Sequence, residues 1–146
     1  MPRRFGGLGW HALRQKNACE ISQSRQSPGV VPLRVTVMVS YFVRYDGIAT
    51  EPAAFVDYYA RGHAAILERF TGIRSLMLHT PQVWNDPFPV NPGRSLLLAQ
   101  MTFEDAAALD AALRSEARKE AREDFARFPA FKGEVTHQAM KTEVIF

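Results

Sequence analysis

The chain is poor in cysteine, with a single residue, Cys19, among its 146. A disulfide framework and a thiolate metal site are thereby excluded, and residues 38–146 hold no cysteine at all. No apolar run approaches the roughly 18 residues needed to cross a bilayer, and the beginning of the chain lacks the continuous apolar stretch of a secretory signal. A cytoplasmic protein with no membrane partner is expected. G-x-G-x-x-G, P-loop and G-x-S-x-G patterns are absent, so dinucleotide, nucleotide and serine-hydrolase functions have no support. The four histidines, His11, His63, His79 and His137, show no H-x-H or H-E-x-x-H spacing. Neither a metal nor an organic cofactor is expected.

Acidic residues are scarce only at the start. Residues 1–37 carry six Lys or Arg and one acid, whereas residues 38–146 carry twelve Lys or Arg and fourteen acids. The overall charge of +3 therefore belongs to the N-terminal extension, and the body has no basic footprint for nucleic acid. Residues 1–33 mix Arg, Gln, Ser and Gly without period, and Ser27-Pro28-Gly29 and Pro32 break any element. Residues 1–37 are expected to be a disordered basic extension, read as an upstream over-extension of the coding start, an ordinary tail or a targeting segment. Residues 38–146 are expected to be one domain.

The domain reads as alternating strands and helices. Val35–Tyr45 is rich in β-branched and aromatic residues, and Asp46-Gly47 is a turn dipeptide, which predicts a first strand and its end. Thr50 is placed to cap a helix in which Phe55, Tyr59, Ile66 and Phe70 share one face, ending at Thr71-Gly72. Ile73–Thr80 and Arg94–Phe103 predict strands two and three, the latter with an apolar run that suggests burial on both faces. A helical stripe of Ala106, Leu109, Ala112 and Leu113 predicts a second helix, long or broken, up to Pro129, and Glu134–Phe146 predicts strand four.

The order β-α-β-β-α-β is that of the ferredoxin-like α+β fold, a four-stranded antiparallel sheet with both helices on one face. The uncovered face calls for a partner, most simply a second copy of the chain in a two-fold dimer with a barrel-like interior. That interior is where the sequence places a ligand.

Phe55, Tyr58-Tyr59, His63 and Gly72 resemble the F-x-x-x-Y-x-x-x-H pattern of the EthD-like family of dimeric α/β-barrel proteins. Phe103-Glu104-Asp105-Ala106 and the Phe125–Phe131 segment are similar too, so the resemblance spans Met38 to Phe146. Many members carry Trp where Tyr59 stands and Pro soon after the histidine, where Ala64 follows here. The resemblance implies a homodimer that handles small hydrophobic molecules in the degradation of ethers and other xenobiotics, with relatives that isomerise lactones or act in polyketide tailoring.

His63 and Tyr59 are the candidate catalytic pair. At 100° per residue they lie about 40° apart and one turn distant, so a titratable imidazole and a phenol share a helix face. Tyr41, Phe55, His79, Trp84 and Phe88 are the candidate ligand contacts. His79 and His137 also read as sheet-edge or interface residues. Pro81–Gly93, a thirteen-residue connection with four prolines, predicts a lid over the cavity or a clasp on the partner subunit. The Arg114–Arg127 run alternates in sign and reads as a solvated helix face. Two functions compete: a cofactor-free isomerase, cyclase or dehydratase with His63 as acid/base, and a non-catalytic carrier of a hydrophobic metabolite. An enzyme should bring a second polar group to His63 at a closed pocket, whereas a carrier needs only an apolar cavity.

Overall fold

In β1 (Val37–Ala49), Val39, Tyr41, Val43 and Tyr45 point to one side and Ser40, Phe42 and Arg44 to the other, the period-two alternation of a strand. The computed structural model describes residues 37–146. The expected tail, residues 1–37, lies outside the described residues except for Val37, which already belongs to β1.

The remaining elements follow in the expected order: α1 (Pro52–Tyr58), one π-helical turn (Tyr59–His63), α2 (Ala64–Leu67), β2 (Ile73–His79), β3 (Ser95–Phe103), α3 (Ala106–Leu113), α4 (Glu116–Asp124), one 3₁₀ turn (Phe125–Arg127) and β4 (Phe131–Glu143). The sheet order is β2-β3-β1-β4 with all neighbours antiparallel. This is the ferredoxin-like α+β arrangement, with the helices on one face. No helix among the described residues is long and apolar enough to cross a membrane.

The second helix is broken because Ser115 starts it again. Asp105 caps α3 through the Ala108 amide, and Ser115 caps α4 through the Arg118 amide. Gly72 leaves the first helix with φ +75°, a left-handed conformation that side-chain-bearing residues avoid.

Thr50 does not cap α1. Glu51 occupies the cap position without a side-chain bond, Pro52 supplies the first helical residue, and the Thr50 amide donates instead to the Ala130 carbonyl at 3.0 Å. The chain also runs straight through the expected Asp46-Gly47 turn. Gly47 pairs with Gly133 of β4, and a Cβ on either would sit 2.4 Å from the Lys132 carbonyl oxygen or 2.2 Å from that of Asp46. The two glycines serve close backbone approach in a long β1–β4 ladder, and a bulge at Tyr45/Asp46 shifts the register against β3.

The core lies between the sheet and the helices. Phe55, Tyr59 and Leu67 from the first helical segment, Leu109, Ala112, Ala117 and Ala121 from the second, and Leu97, Ala99, Met101 and Phe103 from β3 are all buried. Full burial of a ring such as Phe55 stabilises by about 2 kcal/mol. The expected two-sided burial of β3 is not met along its length within one chain: Leu98 and Gln100 are only half-buried on the open face. That face is mixed in character. A hydrogen-bonded row of Thr142, Ser40, Gln100 and His79 crosses all four strands, beside exposed Met77 and Met140. His79 and His137 lie on β2 and β4, at opposite edges of the sheet.

Candidate active site

The first helix widens by one residue where the site begins. In the π-helical turn the Ala64 amide donates to the Tyr59 carbonyl, and such turns recur at functional positions because they re-aim side chains at some cost in backbone regularity. Tyr59 and His63 both turn inward, with ring centroids 4.9 Å apart in an edge-to-face contact. Phe128 closes the other side of the imidazole at 5.0 Å and also packs on Tyr58, Tyr59, Phe55 and Tyr45. Rings on both sides hold the histidine in one orientation.

Asp124, the last residue of α4, completes the arrangement. It is 3% exposed and His63 is 6% exposed. The Tyr58 hydroxyl donates to Asp124 Oδ1 at 2.8 Å, His63 Nδ1 lies 2.9 Å from Oδ2, and Arg127 Nη1 stands 3.5 Å from Oδ1. Burial opposes the carboxylate's charge. Hydrogen bonds from His63 and Tyr58 and the nearby positive charges outweigh it, so Asp124 titrates below its ordinary value. His63 is also held below its ordinary value, chiefly by burial, against the opposing pull of Asp124. An ionised carboxylate only accepts hydrogen bonds, so the network assigns the proton of the neutral imidazole to Nδ1. The lone pair is then on Nε2.

His63 lines a cavity of about 340 Å³, at the lower end of the usual size for a small-molecule site. Val43, Tyr45, Tyr59, His63, Met101 and Phe125 are among its walls, with Arg118, Arg122 and His137 as its further polar groups. It lies on the helix-covered side of the sheet, beside β4, rather than on the open face where the sequence places the ligand. Burial raises the Tyr59 phenol well above its ordinary value and pushes Tyr45 up to about 12, so both remain protonated donors near neutrality. His137 is lowered by burial first and then by the charges of Arg118 and Arg122.

The structure brings His63 and Tyr59 together as expected. Tyr41 stands one contact away, its hydroxyl 3.0 Å from Nδ1 of His137. Phe55 is fully buried behind the site against Tyr45 and Phe128 and does not reach the cavity wall. His79 lies on the open face, 3.3 Å from the Gln100 side chain. Trp84 and Phe88 are exposed on the β2–β3 connection, away from the cavity walls.

The sequence reading missed Asp124 because it lies in the sign-alternating run taken for a solvated face. A signal was present: Ala117, Ala121 and Asp124 recur at i, i+4 and i+7, so the carboxylate continues a buried small-residue stripe. Among the described residues no group of three or more His, Cys, Asp or Glu is placed to hold a metal ion.

The chain resembles several solved structures. An ethyl tert-butyl ether D family protein from Bacillus halodurans is 21% identical with a TM-score of 0.56, over 70% of this chain and 96% of that one. An EthD-like protein from Ralstonia eutropha is 14% identical with a TM-score of 0.51, over 69% and 89%. A monooxygenase from Streptomyces coelicolor, solved with nanaomycin D, is 17% identical with a TM-score of 0.50, over 77% and 92%. At these identities the likeness shows a shared fold. No curated protein matches. Residues 47–132, more than half of the chain and the span that holds both His63 and Asp124, match the EthD domain, and the chain belongs to that family.

Proposed function

We propose that this chain is a cofactor-free acid/base catalyst of the isomerase, cyclase or dehydratase type, acting on a small hydrophobic carbonyl or lactone compound in the breakdown of ethers, aromatics or lactones. One observation carries the proposal: His63 gives one ring nitrogen to buried Asp124 at 2.9 Å, and its ring also lines the cavity. Its other nitrogen has no hydrogen-bond partner among the described residues, yet no side-chain nitrogen or oxygen there is both buried and unpartnered. That nitrogen is therefore open to the cavity.

In this scheme Nε2 takes a proton from a carbon next to a carbonyl. The C–H electron pair moves onto the carbonyl oxygen as an enolate, which the Tyr59 hydroxyl is suited to orient by donating to it. The imidazolium so formed sits against the Asp124 carboxylate, which stabilises it and keeps the ring aligned. Return of the proton to a different carbon gives an isomer, and its delivery to a leaving hydroxyl gives a dehydrated product plus water. A carrier would need no such dyad at the cavity wall, which favours catalysis over the accessory role.

Residues 38–146 form the functional domain in this scheme, and a homodimer through the open sheet face belongs to it. Half-buried Leu98 with exposed Met77 and Met140 gives a second copy apolar area to cover, and the exposed Trp84 and Phe88 are suited to clasp it. A cytoplasmic location fits a domain without cysteine.

The test is deuterium exchange of α-protons in D₂O, followed by proton NMR, over a panel of aryl ketones and aromatic lactones. The wild-type chain should speed exchange of at least one compound, and His63→Ala should slow it by about 10²-fold. Exchange at the buffer rate with every compound, or an undiminished rate in His63→Ala, would contradict the catalytic assignment.

A further inference from the structure

Helix α4 sends two arginines to the cavity that no carboxylate among the described residues neutralises. Arg118 and Arg122 are spaced i, i+4, share a helix face, and both line the cavity. Of the four acids on α4, Glu116 and Glu123 form no ion pair with either arginine, and the other two are committed elsewhere. Glu120 pairs with Arg69 at 2.6 Å, and Asp124 is taken by His63, Tyr58 and Arg127. Among the described residues neither Arg118 nor Arg122 occurs in an ion pair. Arg118 is half-buried and Arg122 exposed, so the first gives up part of its hydration without a protein anion in return. Around them stand Tyr45, Tyr59 and Phe125, rings that would pack on a flat ligand, and His63.

We propose that the cavity takes a planar conjugated acid, its carboxylate held by Arg118 with Arg122 at the mouth, its body against Tyr45, Tyr59 and Phe125, and its reacting carbon towards His63. This rests on the catalytic assignment of His63 only for that last contact. A guanidinium presents a flat fork of donors that matches a carboxylate in two parallel hydrogen bonds, an arrangement that lysine does not reproduce. The carboxylate would offset the charge that Arg118 holds in a partly dry site, and it would fix which end of the substrate faces the base. Substrates lacking an acid would enter but lie in no single orientation.

The test is calorimetric titration of the full chain with 1-hydroxy-2-naphthoic acid and, separately, with its methyl ester, at low and at high salt. The acid should bind about tenfold or more tighter than the ester, the contribution of charge-assisted hydrogen bonds, and raised salt should weaken the acid but not the ester. Arg118→Gln should bring the acid down to the affinity of the ester, Arg118→Lys should recover part of the loss, and Arg122→Gln should give a smaller loss than Arg118→Gln. The salt comparison on the unaltered chain keeps the test decisive if Arg118→Gln does not fold. Equal affinities, no binding of either compound, or an acid preference that survives in a folded Arg118→Gln would overturn the anion site. Titration reads binding rather than turnover, so a failure of His63 to catalyse would leave the acid preference in place and is told apart from a failure here.

Discussion

Replacing Asp124 by Asn keeps the size of the side chain and removes its charge. The carboxylate accepts from Tyr58 at 2.8 Å on one oxygen, where Arg127 also stands at 3.5 Å, and from His63 at 2.9 Å on the other, at 3% exposure. The amide of Asn has one accepting oxygen and one NH₂. If the oxygen keeps Tyr58, the NH₂ faces His63 Nδ1, the imidazole moves its proton to Nε2, and the base becomes a donor pointing at the substrate. If the oxygen keeps His63, the NH₂ meets the Tyr58 hydroxyl, which can turn to accept, but the imidazolium formed in the reaction has lost its counter-charge. Either outcome should slow proton transfer by about 10²-fold or more. Stability should fall less, because exchanging a buried charge for an amide relieves desolvation while weakening two hydrogen bonds. About 1–2 kcal/mol is expected, or a fall of about 4–10 °C in melting temperature for a domain of this size. Exchange rates by NMR and melting curves by circular dichroism, taken on the same preparation, separate the two effects. Wild-type exchange together with a wild-type melting temperature would refute the role given to the dyad.

Other outcomes follow from the same geometry. Exchange activity should be flat near neutrality and fall as pH drops through the folded-state value of His63, which lies below the ordinary 6.5, since burial disfavours the imidazolium; a pH–rate profile that instead declines from alkaline pH would contradict a neutral base. Stability carries the matching sign: below about 6.5 the unfolded chain binds a proton at His63 that the folded chain resists, so denaturant midpoints should fall as pH drops through that window. Gly133→Ala should destabilise by about 1–3 kcal/mol by urea unfolding, because its Cβ would meet the Asp46 carbonyl oxygen at 2.2 Å, and unchanged stability would show that the β1–β4 ladder yields there. Light scattering should give twice the 16.4 kDa chain mass, and Trp84→Ala should loosen the pair; a monomer at micromolar concentration would end the case for the open face as an interface.

The strands, the first helical segment and their order were legible because each rests on short-range signals: β-branched alternation in β1, a helical stripe of Phe55, Tyr59, Ile66 and Phe70, and glycine or proline at the boundaries. What could not be read depends on partners distant along the chain. Asp46-Gly47 carries the local signature of a turn, and only its pairing with Gly133 makes it part of a strand. Asp124 looked solvated because its neighbours alternate in charge, and only packing against His63 and Tyr58 makes it the buried half of a dyad. His137 joins the cavity through the β1–β4 register, which sets it opposite Val43. The cavity beside His63 lies on the helix side because the π-helical turn, which sequence period does not reveal, aims His63 there; an uncovered sheet face by itself points only to the open side.

The protonation of His63 can be observed directly by long-range nitrogen–proton correlation NMR on chain labelled with ¹⁵N-histidine, with the four histidine spectra assigned by single replacements. A neutral ring with the proton on Nδ1 and a bare Nε2 at neutral pH, titrating only below the ordinary histidine value, is the expected result. A proton on Nε2, or an imidazolium that persists at neutral pH, would contradict the base at the centre of the proposed chemistry.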